Sequence, residues 1–211
     1  QAEVGIRDTS VTGVQTCALP IFLAPAPPVI RLGTVAVTPP PGAFLQATTD
    51  AEAALQQAVA GIVGGASRVT DLFAGCGTLG LPLLKGLSKL TAAESDTAAL
   101  AAMKAAVDAA GLGARLDCIE ADLMRAPLTA DLFGDVEAVI IDPPRAGASA
   151  QCEILATTAV PAIAMVSCNP ASFARDAAIL VAGGYRLTSL QIIDQFRFSS
   201  HVEIVAGLER G

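Results

Sequence analysis

From residue 68 onward, short apolar runs alternate with alanine-rich segments that read as helices. Apolar runs at 68–73, 89–94, 114–119, 136–141 and 162–166 predict five strands. Helix-like stretches at 78–87, 97–110, 149–158 and 171–181 fall between or after them. Gly111 and the pair Gly183-Gly184 are the stop signals of the second and fourth. Two further strands, 186–193 and 202–208, close the chain with no helix between them. Repeated strand–helix alternation predicts an α/β fold with a mainly parallel sheet covered on both faces. A short loop between the last two strands predicts an antiparallel hairpin at the carboxyl end.

The amino-terminal part reads differently. Residues 24–42 are proline-rich, with one strand-like run at 31–37 and a turn at Pro39-Pro40-Pro41-Gly42. Gly42-Ala43-Phe44-Leu45-Gln46 leads into a helix over 50–60, capped by Thr48, Thr49 or Asp50. Residues 11–21 resemble a translated sequencing-library adapter, so 1–21 are expected to be foreign to the natural protein. On that reading 22–48 is a linker and the remnant of a longer region whose start lies upstream, and 49–211 is the main domain.

Composition adds bounds. The chain of 211 residues is 53% hydrophobic and 16% charged, enough apolar matter to bury a core. No apolar run approaches the roughly 20 residues that span a bilayer, and no basic-then-apolar leader precedes the domain. A cytoplasmic protein without a membrane partner is expected. A net charge of −7 argues against holding nucleic acid by bulk charge, while leaving room for a local patch. The cysteines Cys17, Cys76, Cys118, Cys152 and Cys168 are odd in number and form no CxxC pair. Neither a metal site nor a disulfide framework is expected.

The candidate chemistry sits where strands are expected to end. Asp71 to Gly80 reads as strand, glycine turn and helix, and Gly75-x-Gly77-x-x-Gly80 matches a dinucleotide fingerprint. Asp71, placed before the glycines, would repel phosphates but accept a hydrogen bond from an ammonium. S-adenosylmethionine, with an amino-acid moiety and no phosphate, therefore fits better than a nicotinamide dinucleotide. Glu94 ends the second expected strand, where a carboxylate can take both ribose hydroxyls. Asp122 follows the third and could meet an adenine amino group; both acids also read as solvated loop residues. Asp142-Pro143-Pro144-Arg145 puts a carboxylate on a stiff loop. Ser167-Cys168-Asn169-Pro170 puts a thiol at the end of the neighbouring strand, unless Cys168 is simply a small buried hydrophobe. His201-Val202-Glu203 opens the last strand; run antiparallel, it brings Glu203 to the same rim. His201 reads as a structural hydrogen-bonding residue. Phe196, Arg197 and Phe198 could stack a base there or pack into the core.

Gly-Ala-Phe-Leu-Gln, Asp-Leu-Phe-Ala-Gly-Cys-Gly, Asp-Pro-Pro-Arg, Ser-Cys-Asn-Pro and His-Val-Glu stand here in the order found in RNA 5-methyluridine methyltransferases. The chain resembles that family over about residues 31–210. The resemblance implies a Rossmann-like class I methyltransferase fold with a carboxyl-terminal antiparallel strand, making 49–211 the catalytic domain. It implies S-adenosylmethionine as methyl donor and an RNA substrate, transfer or ribosomal. It makes Cys168 the nucleophile and Glu203 the base, has Gln46 and Asp142 shape the donor and uracil sites, and gives Glu94 the donor ribose. Such residues suit the reaction: uracil carbon 5 is a poor nucleophile until a thiolate adds to carbon 6, and a base must then take the carbon-5 proton. Two other readings stand beside it: a methyltransferase for another nucleobase position, and a donor-binding fragment without turnover.

Overall fold

The computed structural model describes residues 26–195 and 202–211. A small hairpin, β1 (Ile30–Leu32) and β2 (Val35–Val37), precedes helix α1 (Thr49–Val63). Then come β3 (Arg68–Leu72), β4 (Lys89–Glu94), α2 (Thr97–Ala109), β5 (Leu116–Glu120) and β6 (Ala138–Ile141). The chain finishes with α3 (Ser149–Thr157), β7 (Ala162–Ser167), α4 (Pro170–Ala182), β8 (Tyr185–Ile193) and β9 (Glu203–Arg210). Strands β3 to β9 form one seven-stranded sheet in the order β5-β4-β3-β6-β7-β9-β8.

Strands β3 to β7 run parallel, and β9 lies antiparallel between β7 and β8. The order reverses between β3 and β6, so the crevice over their carboxyl ends is where an open sheet of this kind takes a ligand. Every residue of β6 is buried, as a strand covered on both faces requires. On one face α1, α2 and the small hairpin enclose a core that includes Leu55, Met103, Val37 and Ile140. On the other, α3 and α4 cover Ile141, Ile163, Leu155 and Leu180. Each such fully buried side chain contributes about 1.5–3 kcal/mol relative to exposure. No described helix is long and apolar enough to cross a membrane.

Two expected elements take another form. The stretch 78–87 is not an α-helix but a series of tight turns around a short 3₁₀ segment, Leu81–Leu83. Pro82 has no N–H to give, and Gly80 and Gly86 weaken the helix on either side. The chain makes three-residue bonds instead, from Leu83 N to Gly80 O and from Leu84 N to Leu81 O. The run 31–37 is not one strand but the β1–β2 hairpin, because Gly33 with φ +61° turns the chain back. Helix α1 begins where the polar residues predict: the Thr48 hydroxyl accepts from Ala51 N at 3.1 Å.

Candidate active site

The glycine turn is built by the strand beside it. Immediately after β3 the backbone of Phe73 takes φ +62°, alone among the described non-glycine residues in the left-handed region. Such a conformation costs on the order of 1–3 kcal/mol and persists only where neighbours enforce it. Here Ala74 N donates to Ala93 O at 3.1 Å, and Gly75 N donates to Glu94 Oε2 at 2.9 Å. The turn is thus stitched across the end of β4. Gly80 is required for a different reason: a Cβ there would lie 2.5 Å from Asp71 Oδ2. At Gly77 the φ of +88° and the Leu81 side chain together leave no room for one.

Asp71 is 1% exposed, and its Oδ2 has no hydrogen-bond partner among the described residues. Burial first, and then the charge of Asp142, push its carboxyl up to about 8, against the opposing pull of the Gly80 N–H. An isolated buried carboxylate is costly unless a cation or donor meets it. Glu94 is better supplied. Besides Gly75 N, it accepts from Ser95 N, Ser95 Oγ and Asp96 N at 2.7, 3.0 and 2.9 Å. Three of these bonds fall on Oε1 and one on Oε2, so Oε2 keeps room for one further donor such as a ribose hydroxyl. Asp122 is exposed, accepts from Met124 N at 3.1 Å and lies 3.4 Å from Arg125 Nε.

At the other end of the crevice lie Asp142, Cys168 and Glu203. The register pairs Ser167 of β7 with Ile204 of β9, which sets Cys168 opposite Glu203 despite their separation in sequence. Burial, and after it Glu203, push the Asp142 carboxyl up to about 7. The Cys168 thiol is raised by burial, then by Glu203 and Asp142, with a smaller lowering from Arg145. The two loops that carry Asp142 and Cys168 are tied together. Asn169 Nδ2 donates to Arg145 O and Arg175 donates to Ala146 O, both at 2.9 Å. The buried Asp176 carboxylate takes the Ala148 N–H at 2.6 Å. Asn169 also caps α4, its Oδ1 accepting from Ala171 N. Asn169→Ala is therefore expected to lower stability by about 1–2 kcal/mol, read as a shift of the urea unfolding midpoint; an unchanged midpoint would show that the tie is slack.

One cavity of about 560 Å³ joins both ends. Its wall includes Gln46, Asp71, Gly75, Glu94, Asp122, Asp142, Cys168 and Glu203. Gly77 is not part of that wall; it lets the turn pack on Leu81. Phe44, Phe73, Asp96 and Arg145 also line it, although no motif separately assigned them to a donor site. Asp96 was detectable as the cap of α2, and Phe44 as a member of the segment leading to Gln46. Phe196, Arg197, Phe198 and His201 lie outside the described residues. The chemistry of the wall suits a cationic donor: a buried oxygen of Asp71 without a partner among the described residues, and carboxylates at the ends of β4 and β6. Its volume falls in the range of small-molecule sites.

Sheet order, carboxyl-terminal hairpin and crevice define a class I S-adenosylmethionine-dependent methyltransferase fold. The structure superposes with a TM-score of 0.73 on the Pyrococcus abyssi tRNA (uracil-54, C5)-methyltransferase solved with S-adenosyl-L-homocysteine, at 29% identity, covering 86% of this chain and 43% of that one. The family model for tRNA (uracil-5-)-methyltransferases matches residues 129–210, which hold Asp142, Cys168 and Glu203. An uncharacterised RNA methyltransferase of Mesorhizobium japonicum is 47% identical over 191 residues, 90% of this chain and 46% of its own length. The 23S rRNA (uracil(1939)-C(5))-methyltransferase RlmD of Chromohalobacter salexigens is 39% identical over 173 residues, 81% of this chain and 35% of its own. The chain belongs to this uracil-C5 family of RNA methyltransferases. It spans about half or less of the length of these curated relatives.

Proposed function

We propose that the chain transfers a methyl group from S-adenosylmethionine to carbon 5 of a uridine in transfer or ribosomal RNA, through a covalent bond between Cys168 and carbon 6. The observation that supports this best is the meeting of Cys168, Glu203 and Asp142 in the cavity that also holds Asp71 and Glu94. When bound, the donor supplies an electrophilic methyl on a sulfonium. Asp71 is suited to its ammonium and Glu94 to its ribose. Gln46 and Asp122 line the same cavity, and Asp122 is suited to accept from an adenine amino group.

The chain's own groups account for the proton and electron movements. The Cys168 thiol gives up its proton to solvent, and the thiolate forms a bond to carbon 6 as the carbon 5–carbon 6 double bond opens and sends its electron pair toward carbon 5. Carbon 5 would form its bond to the methyl as the methyl's bond to the donor sulfur breaks, that sulfur leaving as a neutral thioether. Glu203 then removes the carbon-5 proton; that electron pair restores the double bond to carbon 6, and sulfur departs as thiolate. Asp142, ionised above about pH 7, accepts the ring N3–H. The uridine must leave its stack to reach the thiol.

The test is incubation with labelled donor and RNA carrying 5-fluorouridine. Fluorine in place of the carbon-5 hydrogen blocks the final elimination, so a covalent protein–RNA complex is expected on denaturing gels. On ordinary uridine RNA the Glu203→Gln variant should gather the same complex while product release slows. Normal turnover by that variant would remove Glu203 from the reaction. Donor binding without transfer to any RNA would favour the donor-binding reading.

A further inference from the structure

Gln195 follows β8 and stands behind the cavity wall rather than in it. Its Nε2 donates to Gln46 Oε1 at 3.0 Å and to Glu203 Oε1 at 3.1 Å. Its Oε1 accepts from Ala47 N at 3.3 Å. One amide therefore uses both of its N–H groups and its carbonyl on groups from two distant parts of the chain. Gln46 and Ala47 precede α1; Glu203 opens β9; about 150 residues separate them. Nothing in the alternation of strands and helices brings these segments together, since α1 lies on the face of the sheet and β9 lies within it.

We infer that Gln195 is a positioning residue for the reaction proposed above, holding the Glu203 carboxylate and the Gln46 amide in fixed relation across the cavity. The inference rests on that reading of Glu203 as base. A carboxylate that must reach one carbon-bound proton tolerates little rotation, and an ångström of misplacement costs on the order of 10²-fold in rate. The bond from Gln195 to Oε1 fixes the rotation of the carboxylate about its last torsion. The same bond network couples the segment that carries Gln46 to the base, so that docking of that segment and alignment of Glu203 are a single event. A neutral donor suits this place. A lysine or arginine there would neutralise the base, and a carboxylate would repel it.

The role makes different demands on the two halves of the reaction. Attack by Cys168 and methyl acceptance do not use Glu203 as base; the elimination does. Gln195→Ala is therefore expected to form the covalent complex with 5-fluorouridine RNA at close to the unaltered rate, while turnover on uridine RNA falls about ten- to hundredfold. Gln195→Glu keeps the shape of the side chain but can donate only when its new carboxyl is protonated. Its turnover relative to the unaltered chain should accordingly rise as pH falls from 8 to 5.5. Equal turnover for Gln195→Ala and the unaltered chain would overturn the inference while leaving the reaction intact. So would a parallel loss of complex formation and turnover with a relative rate for Gln195→Glu that ignores pH, because that is the pattern of a merely structural glutamine. Failure of the unaltered chain to form the complex would instead overturn the proposed reaction, and the role of Gln195 with it.

Discussion

Cys168→Ala is expected to abolish methyl transfer to RNA, with a loss of about 10⁴-fold or more in turnover, and to leave no covalent complex with 5-fluorouridine RNA. Carbon 5 of uracil has too little electron density to attack a methyl unless a nucleophile first saturates carbon 6. Neither Asp142 nor Glu203 can replace sulfur there, because a carboxylate is a weak nucleophile and its adduct at carbon 6 is less easily formed. The fold should survive: Cys168 lies at the end of β7, only partly buried, and its loop is held by Asn169 and Arg175. A change in stability below about 1 kcal/mol is expected, so a lost activity with an unmoved unfolding midpoint isolates the chemistry. Burial, Glu203 and Asp142 keep the thiol protonated in the free protein. Complex formation by the unaltered chain should therefore quicken as pH rises above neutrality. Transfer that survives Cys168→Ala would point to a methyltransferase acting on another nucleobase position, where no thiol adduct is needed.

The sequence carried the frame of this site because the frame is local. Glu94, Asp142 and Cys168 stand at or just past the end of an apolar run and Asp71 just before the end of one, and in a parallel sheet all such ends share one edge. Glu203 joined them by a single further step, the reversal of direction in the last hairpin. What stayed hidden depends on contacts between remote segments. Gln195 lies on no periodic face and acquires meaning only when Gln46, about 150 residues away, is beside it. The strained Phe73 is invisible in a stretch whose glycines seem to supply all the flexibility a turn needs, yet the bonds to Ala93 and Glu94 bend the chain one residue earlier. The false helix at 78–87 had the apolar content of a helix, but Pro82 sits in a 3₁₀ turn, and Gly77 and Gly80 leave the room taken by Leu81 and the Asp71 carboxyl.

Asp71→Asn is expected to make the protein more stable and the donor bind less well. The carboxyl sits at about 8 in the folded chain against an ordinary 3.8, chiefly because it is buried. The folded state thus holds its proton more tightly than the unfolded state between those values. Stability should fall as pH rises through that window, with no penalty below pH 4 and the whole of it above pH 8. An asparagine carries no charge to bury, although one of its N–H groups is left without a partner beside Gly80, which offsets part of the gain. A net stabilisation of about 1–3 kcal/mol at pH 9, vanishing toward pH 4, is the expected outcome of urea unfolding series. Donor affinity should move the other way, by about ten- to hundredfold, because a charge-assisted bond to the donor ammonium is lost. On the proposed reading the two effects have one cause: the Asp71 oxygen left without a partner among the described residues is the one the donor ammonium would meet. Binding should also expel the proton that Asp71 holds near neutrality, so calorimetric heats at pH 7 should vary with the ionisation enthalpy of the buffer, and should cease to do so in Asp71→Asn. Equal stability of the two proteins at pH 9, together with unchanged donor affinity, would mean that Asp71 finds its counterpart within the protein and not in the ligand.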